Sequence, residues 1–151
     1  MKRTGIVLLI EDRRDDIDLT LRAFGKMNLA DHVVVSRDGE DALSYLFGTG
    51  TYAGRDTSLQ PEVVLLDLKL PKMDGLSVLR RMRSDPRTSR VPVVVLTSSQ
   101  EESDIAASYD SGANSFIRKP VDFSDFLETT HQLGVYWLTV NQALPLSLEK
   151  R

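Results

Sequence analysis

Five residues could do chemistry together: Glu11, Asp12, Asp67, Thr97 and Lys119. Each stands at or just past the end of a short apolar run. Glu11 and Asp12 follow "IVLLI", Asp67 follows "VVLL", Thr97 closes "VPVVVLT" and Lys119 follows "SFIR". A carboxylate at the end of a buried strand is costly to desolvate unless something pairs with it. Three carboxylates around one hollow also repel, and one takes up a proton unless they are compensated. A divalent cation removes that problem. Mg2+ takes oxygen ligands, keeps several waters and often uses few carboxylates plus a phosphoryl oxygen. A metal, a lysine and a hydroxyl around a nucleophilic carboxylate suit in-line phosphoryl transfer, because they stabilise the charge that develops on the equatorial oxygens. Asp67 would then be the nucleophile and become an acyl phosphate.

Taken singly, these residues have plainer explanations. An acidic pair at a strand end is commonly a helix cap or a solvated turn. Lys119-Pro120 alone is a loop, and Thr97 alone a strand end. Four such features, each just after its own strand, make coincidence a poor explanation.

The elements that must position them can be read from hydrophobic period. Five apolar runs recur, at Ile6–Ile10, Val33–Val35, Val63–Leu66, Val93–Leu96 and Ser115–Ile117. Helical spacing separates them, marked by Ile17, Leu21, Phe24 and Leu29, then Ala42, Leu43, Leu46 and Phe47, then Leu76, Leu79 and Met82, then Ile105, Ala106 and Tyr109. Asp38 is placed to cap the second helix, and Asp85-Pro86 to end the third. Ser99 and Glu102 form an S-x-x-E capping box for the fourth, which should stop near Gly112. Strand and helix in alternation mean parallel strands with right-handed crossovers. The expected fold is therefore α/β, a doubly wound five-stranded sandwich with its ligands at the carboxyl ends of the strands. The long polar stretch Gly48 to Pro61, "GTGTYAGRDTSLQP", reads as a mobile surface insertion.

Composition narrows the field. The 151 residues suit one domain, and 41% apolar with 27% charged content is ordinary for a globular protein. A net charge of −3 gives no basic face for nucleic acid. Without cysteine, disulfides, thiolate catalysis and zinc–cysteine sites are excluded. His32 and His131 are far apart in sequence, so a metal would be held by oxygen. Lys2 and Arg3 before an apolar run mimic a signal peptide, but that run is short and ends in acid. No stretch approaches the ~20 apolar residues of a membrane span. A cytoplasmic protein is expected.

"LLIEDRRDDIDLT", "VVLLDLKLPKMDG", "VPVVVLTSS" and "GANSFIRKPVDFSDFL" stand in register with the motifs of a known family. Over nearly its whole length the chain resembles a response-regulator receiver domain of a two-component system. The resemblance implies the flavodoxin-like strand order 2-1-3-4-5. It implies that Asp67 accepts phosphoryl from a phosphohistidine on a sensor histidine kinase. Glu11 and Asp12 would bind Mg2+ with Asp67, Asp12 being the more direct ligand, and Lys69 would lend its backbone carbonyl. Thr97 and Lys119 would stabilise the phosphoryl group. Thr97 and Phe116 would form the switch, and a cis bond before Pro120 would aim Lys119 into the site. Two positions depart from common family members. Lys69 stands where asparagine is frequent, at a position that tunes acyl-phosphate lifetime. Phe116 stands where tyrosine is commoner, and a core aromatic explains it equally well. The insertion, "LLDLKLPKMDG", "SYDSGAN" and "YWLTVNQALP" further resemble single-domain regulators paired with bacterial and cyanobacterial phytochrome kinases.

On this reading residues 1–134 form the receiver and 135–151 a C-terminal extension, with no output domain following. Output would then run through protein contacts, with the kinase, a downstream histidine phosphotransfer protein or a second copy. Phe126, Leu133, Trp137, Val140 and Leu144 fall at spacings of 7, 4, 3 and 4, with Thr130 the polar member between the first two. That resembles a heptad stripe. A helix from Asp122 to Ala143 would be about 33 Å long, more than one side of the sheet covers. The excess points to a homodimer arm; a tail folded back on its own domain, or broken at Gly134, is the other solution.

Two other functions use similar parts. A haloacid-dehalogenase-like phosphatase needs a second aspartate two residues after its nucleophile as general acid, and Lys69 holds that position. A flavin module needs a phosphate loop after the first strand, where Glu11, Asp12, Asp15 and Asp16 would repel phosphate.

Overall fold

A computed structural model describes residues 4–144. Five parallel strands form one sheet: β1 (Val7–Ile10), β2 (Val33–Ser36), β3 (Val63–Leu66), β4 (Val93–Thr97) and β5 (Ser115–Arg118), in the order β2-β1-β3-β4-β5. Ile10 stands opposite both Ser36 and Leu66, and Leu66 opposite Val95, so the strands end nearly level. Between them run α1 (Arg14–Gly25), α2 (Gly39–Phe47), α3 (Gly75–Arg83) and α4 (Glu102–Asp110), with α5 (Phe123–Val135) after β5.

Strand alternation divides the core. Leu8, Ile10, Val64 and Leu66 meet Ala42, Leu46, Val78, Leu79 and Met82 of α2 and α3. Val7, Leu9, Val63 and Leu65 meet Ile17 and Phe24 of α1, with Leu133 of α5 packed against them. The four β3 side chains are essentially inaccessible to water, each worth about 1.5–3 kcal/mol on burial. This run anchors the sheet edge from which Asp67 projects.

Asp38 caps α2 as expected, accepting from the Asp41 amide at 2.7 Å. Asp74 caps α3 in the same way through Ser77. Three expectations fail at other boundaries. Leu29 lies beyond α1, beside a 3-10 turn over Ala30–His32. The Ser99–Glu102 capping box does not form: Glu101 occupies the cap position of α4, and the Ser99 hydroxyl goes instead to Asp104 Oδ2. A competing carboxylate one turn into the helix takes the hydroxyl. Ala106 and Tyr109 of α4 are exposed, while Ser108 is buried and bonds back to the Asp104 carbonyl.

The insertion is fastened down rather than hanging free. Arg55 donates to the carbonyls of Tyr45 at 2.5 Å and Leu46 at 3.1 Å, closing the end of α2, and to the Leu59 carbonyl at 2.8 Å. Its guanidinium lies 4.2 Å from the centroid of the Tyr45 ring, and Tyr52 meets that ring edge-on. Gln60 reaches back to the Leu46 carbonyl as well. Carbonyls left over at a helix end need donors, and here the insertion supplies them.

The last helix is not broken at Gly134. That glycine is buried where α5 crosses α1: a Cβ there would sit 2.7 Å from Met27 Cε and 3.0 Å from Phe24 Cε1. α5 then continues into a wider π turn over Tyr136–Val140. Trp137 and Leu138 pack on the α1 side of the core, whereas Tyr136 and Val140 are exposed. The helical rod thus stops short of Ala143, and part of it does fold onto its own domain. The rest of the extension, residues 145–151, and the Lys2-Arg3 pair lie outside the described residues.

Candidate functional site

Glu11, Asp67 and Lys119 are each the first residue past a strand. Each donates its backbone N–H to the last residue of the neighbouring strand: Glu11 to Ser36 at 3.0 Å, Asp67 to Ile10 at 3.0 Å and Lys119 to Thr97 at 2.7 Å. The ladder therefore runs one residue beyond the strands and fixes where these side chains leave the backbone. Gly75, at the start of α3, lets the helix close against this edge. A Cβ on it would collide with the Asp67 carbonyl and approach Leu68 Cα to 2.7 Å.

The side chains converge as the sequence predicts. Lys119 Nζ lies 2.6 Å from Glu11 Oε1 and 2.9 Å from Asp67 Oδ2. Asp67 Oδ1 accepts from the Thr97 hydroxyl at 2.9 Å and from the Lys69 amide at 3.2 Å. Glu11 Oε2 accepts from the Arg13 amide at 3.2 Å. Asp67, Glu11 and Lys119 are only 5%, 3% and 7% exposed, and Thr97 is fully buried. Asp12 is half-buried at the rim. One oxygen from each of Glu11, Asp12 and Asp67 lies within 4.8 Å of the others, the one such acidic group among the described residues. A compact all-oxygen donor set fits a hard divalent cation.

Burial and charge set the protonation of this cluster. Burial pushes the Glu11 carboxyl up to about 7, helped by the neighbouring Asp67 charge and only partly opposed by Lys119. Burial pushes Asp67 upward too, but the hydrogen bond and charge of Lys119 outweigh it, and Asp67 lies below its ordinary value. Burial would lower Lys119; its hydrogen bonds to Asp16, Glu11 and Asp67 win, and its value is raised. The Asp67 carboxylate is therefore ionised at neutral pH.

One expectation fails here. The Lys119-Pro120 bond is trans, since no cis peptide occurs among the described residues. Trans is the lower-energy isomer, and from it the ammonium already reaches all its partners. Phe116 is half-buried on β5, opposite Val95. The Lys69 side chain is exposed, so its contact with the cluster is through its amide. One residue was missed. Asp16 Oδ2 lies 2.7 Å from Lys119 Nζ. Asp12 precedes α1, so helical spacing does not link the two, and Asp16 reaches the lysine from the first turn of α1.

Residues 7–131 match the family described as the response regulator receiver domain. The chain belongs to that family. This receiver is 38% identical over 138 residues to the probable methanogenesis regulatory protein FilR2 of Methanothrix harundinacea, covering 91% of this chain and 86% of that one. It is 34% identical over 133 residues to the response regulator Rcp1 of Synechocystis, covering 88% of each. Its fold superimposes on the Mn2+-bound form of Rcp1 with a TM-score of 0.82 over 93% of this chain and 99% of that one, at 31% identity. The phosphorylated cyanobacterial phytochrome response regulator RcpA gives 0.83 at 38% identity, over 90% of this chain and 95% of that one. The receiver is thus a two-component signalling protein homologous to phytochrome response regulators, and the family implies phosphorylation on an aspartate by a histidine kinase. The haloacid-dehalogenase alternative finds no support in this match. No helix among the described residues is long and apolar enough to cross a membrane.

Proposed function

We propose that Asp67 is the phosphoacceptor and that the chain is a receiver for a phytochrome-type sensor kinase. One observation carries this reading: the ionised, buried Asp67 has Lys119 on one oxygen and Thr97 on the other, at 2.9 Å each. Glu11, Asp12, Asp67 and the Lys69 carbonyl would hold Mg2+, which when bound neutralises charge on the phosphoryl oxygens. Manganese in the Rcp1 relative supports a divalent cation at this acidic cluster.

An Asp67 carboxylate oxygen attacks phosphorus as the P–N bond of the kinase phosphohistidine breaks, and the electron pair leaves with the imidazole. Lys119 and Thr97 then turn their donors to the phosphoryl oxygens. Hydrolysis reverses the state: water attacks phosphorus, releasing inorganic phosphate and regenerating the carboxylate. The chain thus turns over only its own phosphoryl group. Thr97 and Phe116 would relay the change, Thr97 by moving toward the phosphoryl group and Phe116 by changing its depth of burial.

Residues 1–134 would form the receiver and 135–151 an extension, with contacts to a phosphotransfer protein or a second copy carrying the signal. Exposed Tyr136 and Val140 on the π turn support a homodimer arm. A cytoplasmic location suits such a partner set. Incubation with a small acyl phosphate donor and Mg2+, followed by peptide mapping, should place hydroxylamine-labile phosphoryl on Asp67. Phosphoryl on any other residue would refute the assignment.

A further inference from the structure

We infer that Asp16 is a positioning residue that holds the Lys119 ammonium over Asp67 throughout phosphoryl transfer. The inference rests on the acceptor assignment above and adds a residue outside the metal set. An ammonium has three donors, and Lys119 spends all three: on Glu11 at 2.6 Å, Asp16 at 2.7 Å and Asp67 at 2.9 Å.

These three partners are not equivalent. Glu11 and Asp67 belong to the group whose oxygens meet within 4.8 Å, and Asp16 does not. Glu11 and Asp67 would turn oxygens to a cation held by that group, and phosphorylation would convert the Asp67 carboxylate to an acyl phosphate. Asp16 is the partner that neither event removes. It stands in the first turn of α1, on a different element from the other two, and is 17% exposed at its side chain. Its other contact, Arg13 Nε at 3.4 Å, comes from a side chain that is 68% exposed and therefore well screened. So Asp16 grips the ammonium from the solvent side and leaves the other two donors to swing onto phosphoryl oxygens. A flexible four-carbon stem needs such a fixed point if its charge is to be in place when charge develops.

The test measures phosphoryl uptake from a small acyl phosphate donor at saturating Mg2+. Asp16→Ala should slow uptake by about tenfold, the scale of one charge-assisted hydrogen bond. Asp16→Asn keeps an acceptor oxygen and should recover most of that loss. Mg2+ affinity by titration calorimetry should stay within about twofold of wild type, since Asp16 is no metal ligand. In a Lys119→Met background, Asp16→Ala should add nothing. Additive losses in that cycle, or a fall in Mg2+ affinity as large as that of Asp12→Asn, would overturn the inference. Asp16→Ser runs the same cycle if the alanine variant does not fold. Asp67→Asn separates the two readings: if it still takes up phosphoryl, the acceptor assignment fails, whereas additivity alone removes only Asp16.

Discussion

Lys119 Nζ lies 2.6 Å from Glu11 Oε1, and both side chains are buried. The ammonium is the counter-charge of a cluster that would otherwise repel itself. Removing it leaves the buried Glu11 and Asp67 facing each other without a counter-charge. Lys119→Met should therefore destabilise the metal-free protein by about 3–5 kcal/mol, the usual cost of breaking a buried pair from one side. Urea unfolding in a chelator checks this, and added Mg2+ should restore part of the loss. Equal stability of the two proteins would show that the cluster needs no lysine.

The burial of Glu11 makes a pH prediction. Glu11 rises from 4.5 to about 7 on folding, so the folded state binds more protons than the unfolded state between those values. Stability of the metal-free protein should fall as pH rises through that window. Asp67, shifted down, contributes stability that is lost only as pH falls below its ordinary range. Lys119, shifted up, contributes stability lost only at strongly alkaline pH. Mg2+ affinity should run the other way from metal-free stability, rising with pH through about 7 as Glu11 gives up its proton. Glu11→Gln should flatten both curves; unchanged slopes in that variant would assign the titration elsewhere.

Much of this site was legible because its residues sit at strand ends. "VVLL" before Asp67 and "IVLLI" before Glu11 declare their strands by composition, and parallel topology then brings the ends together. What stayed hidden depends on side-chain reach. Asp16 needs the exact start of α1 before it points at Lys119. Arg55 binds carbonyls, which any residue can present, so no sequence pattern announces it. Ser99 gives its hydroxyl to the Asp104 carboxylate, which the S-x-x-E spacing does not announce. The isomer before Pro120 is trans, and Lys119 makes its three contacts from it.

Arg55 closes α2 and pins the insertion, so Arg55→Ala should release it without touching the site. Hydrogen–deuterium exchange across residues 48–60 should rise, stability should fall by about 1–2 kcal/mol, and phosphoryl uptake should be unchanged. Protection that survives the substitution would mean that Gln60 and Tyr52 hold the insertion alone.

The π turn leaves Tyr136 and Val140 facing solvent while Trp137 and Leu138 pack inward. On the proposed homodimer arm, Tyr136→Asp with Val140→Asp should lower the solution mass from dimer to monomer at constant fold, read by sedimentation equilibrium and circular dichroism. An unchanged mass would place any self-association on another surface.

The central claim is that Asp67 receives the phosphoryl group. Transfer from an autophosphorylated phytochrome-type histidine kinase, followed with labelled phosphate in Mg2+, tests it most directly. The wild-type chain should gain hydroxylamine-labile label as the kinase loses it, and Asp67→Asn, correctly folded, should gain none. Label on the asparagine variant at the wild-type rate would contradict the account.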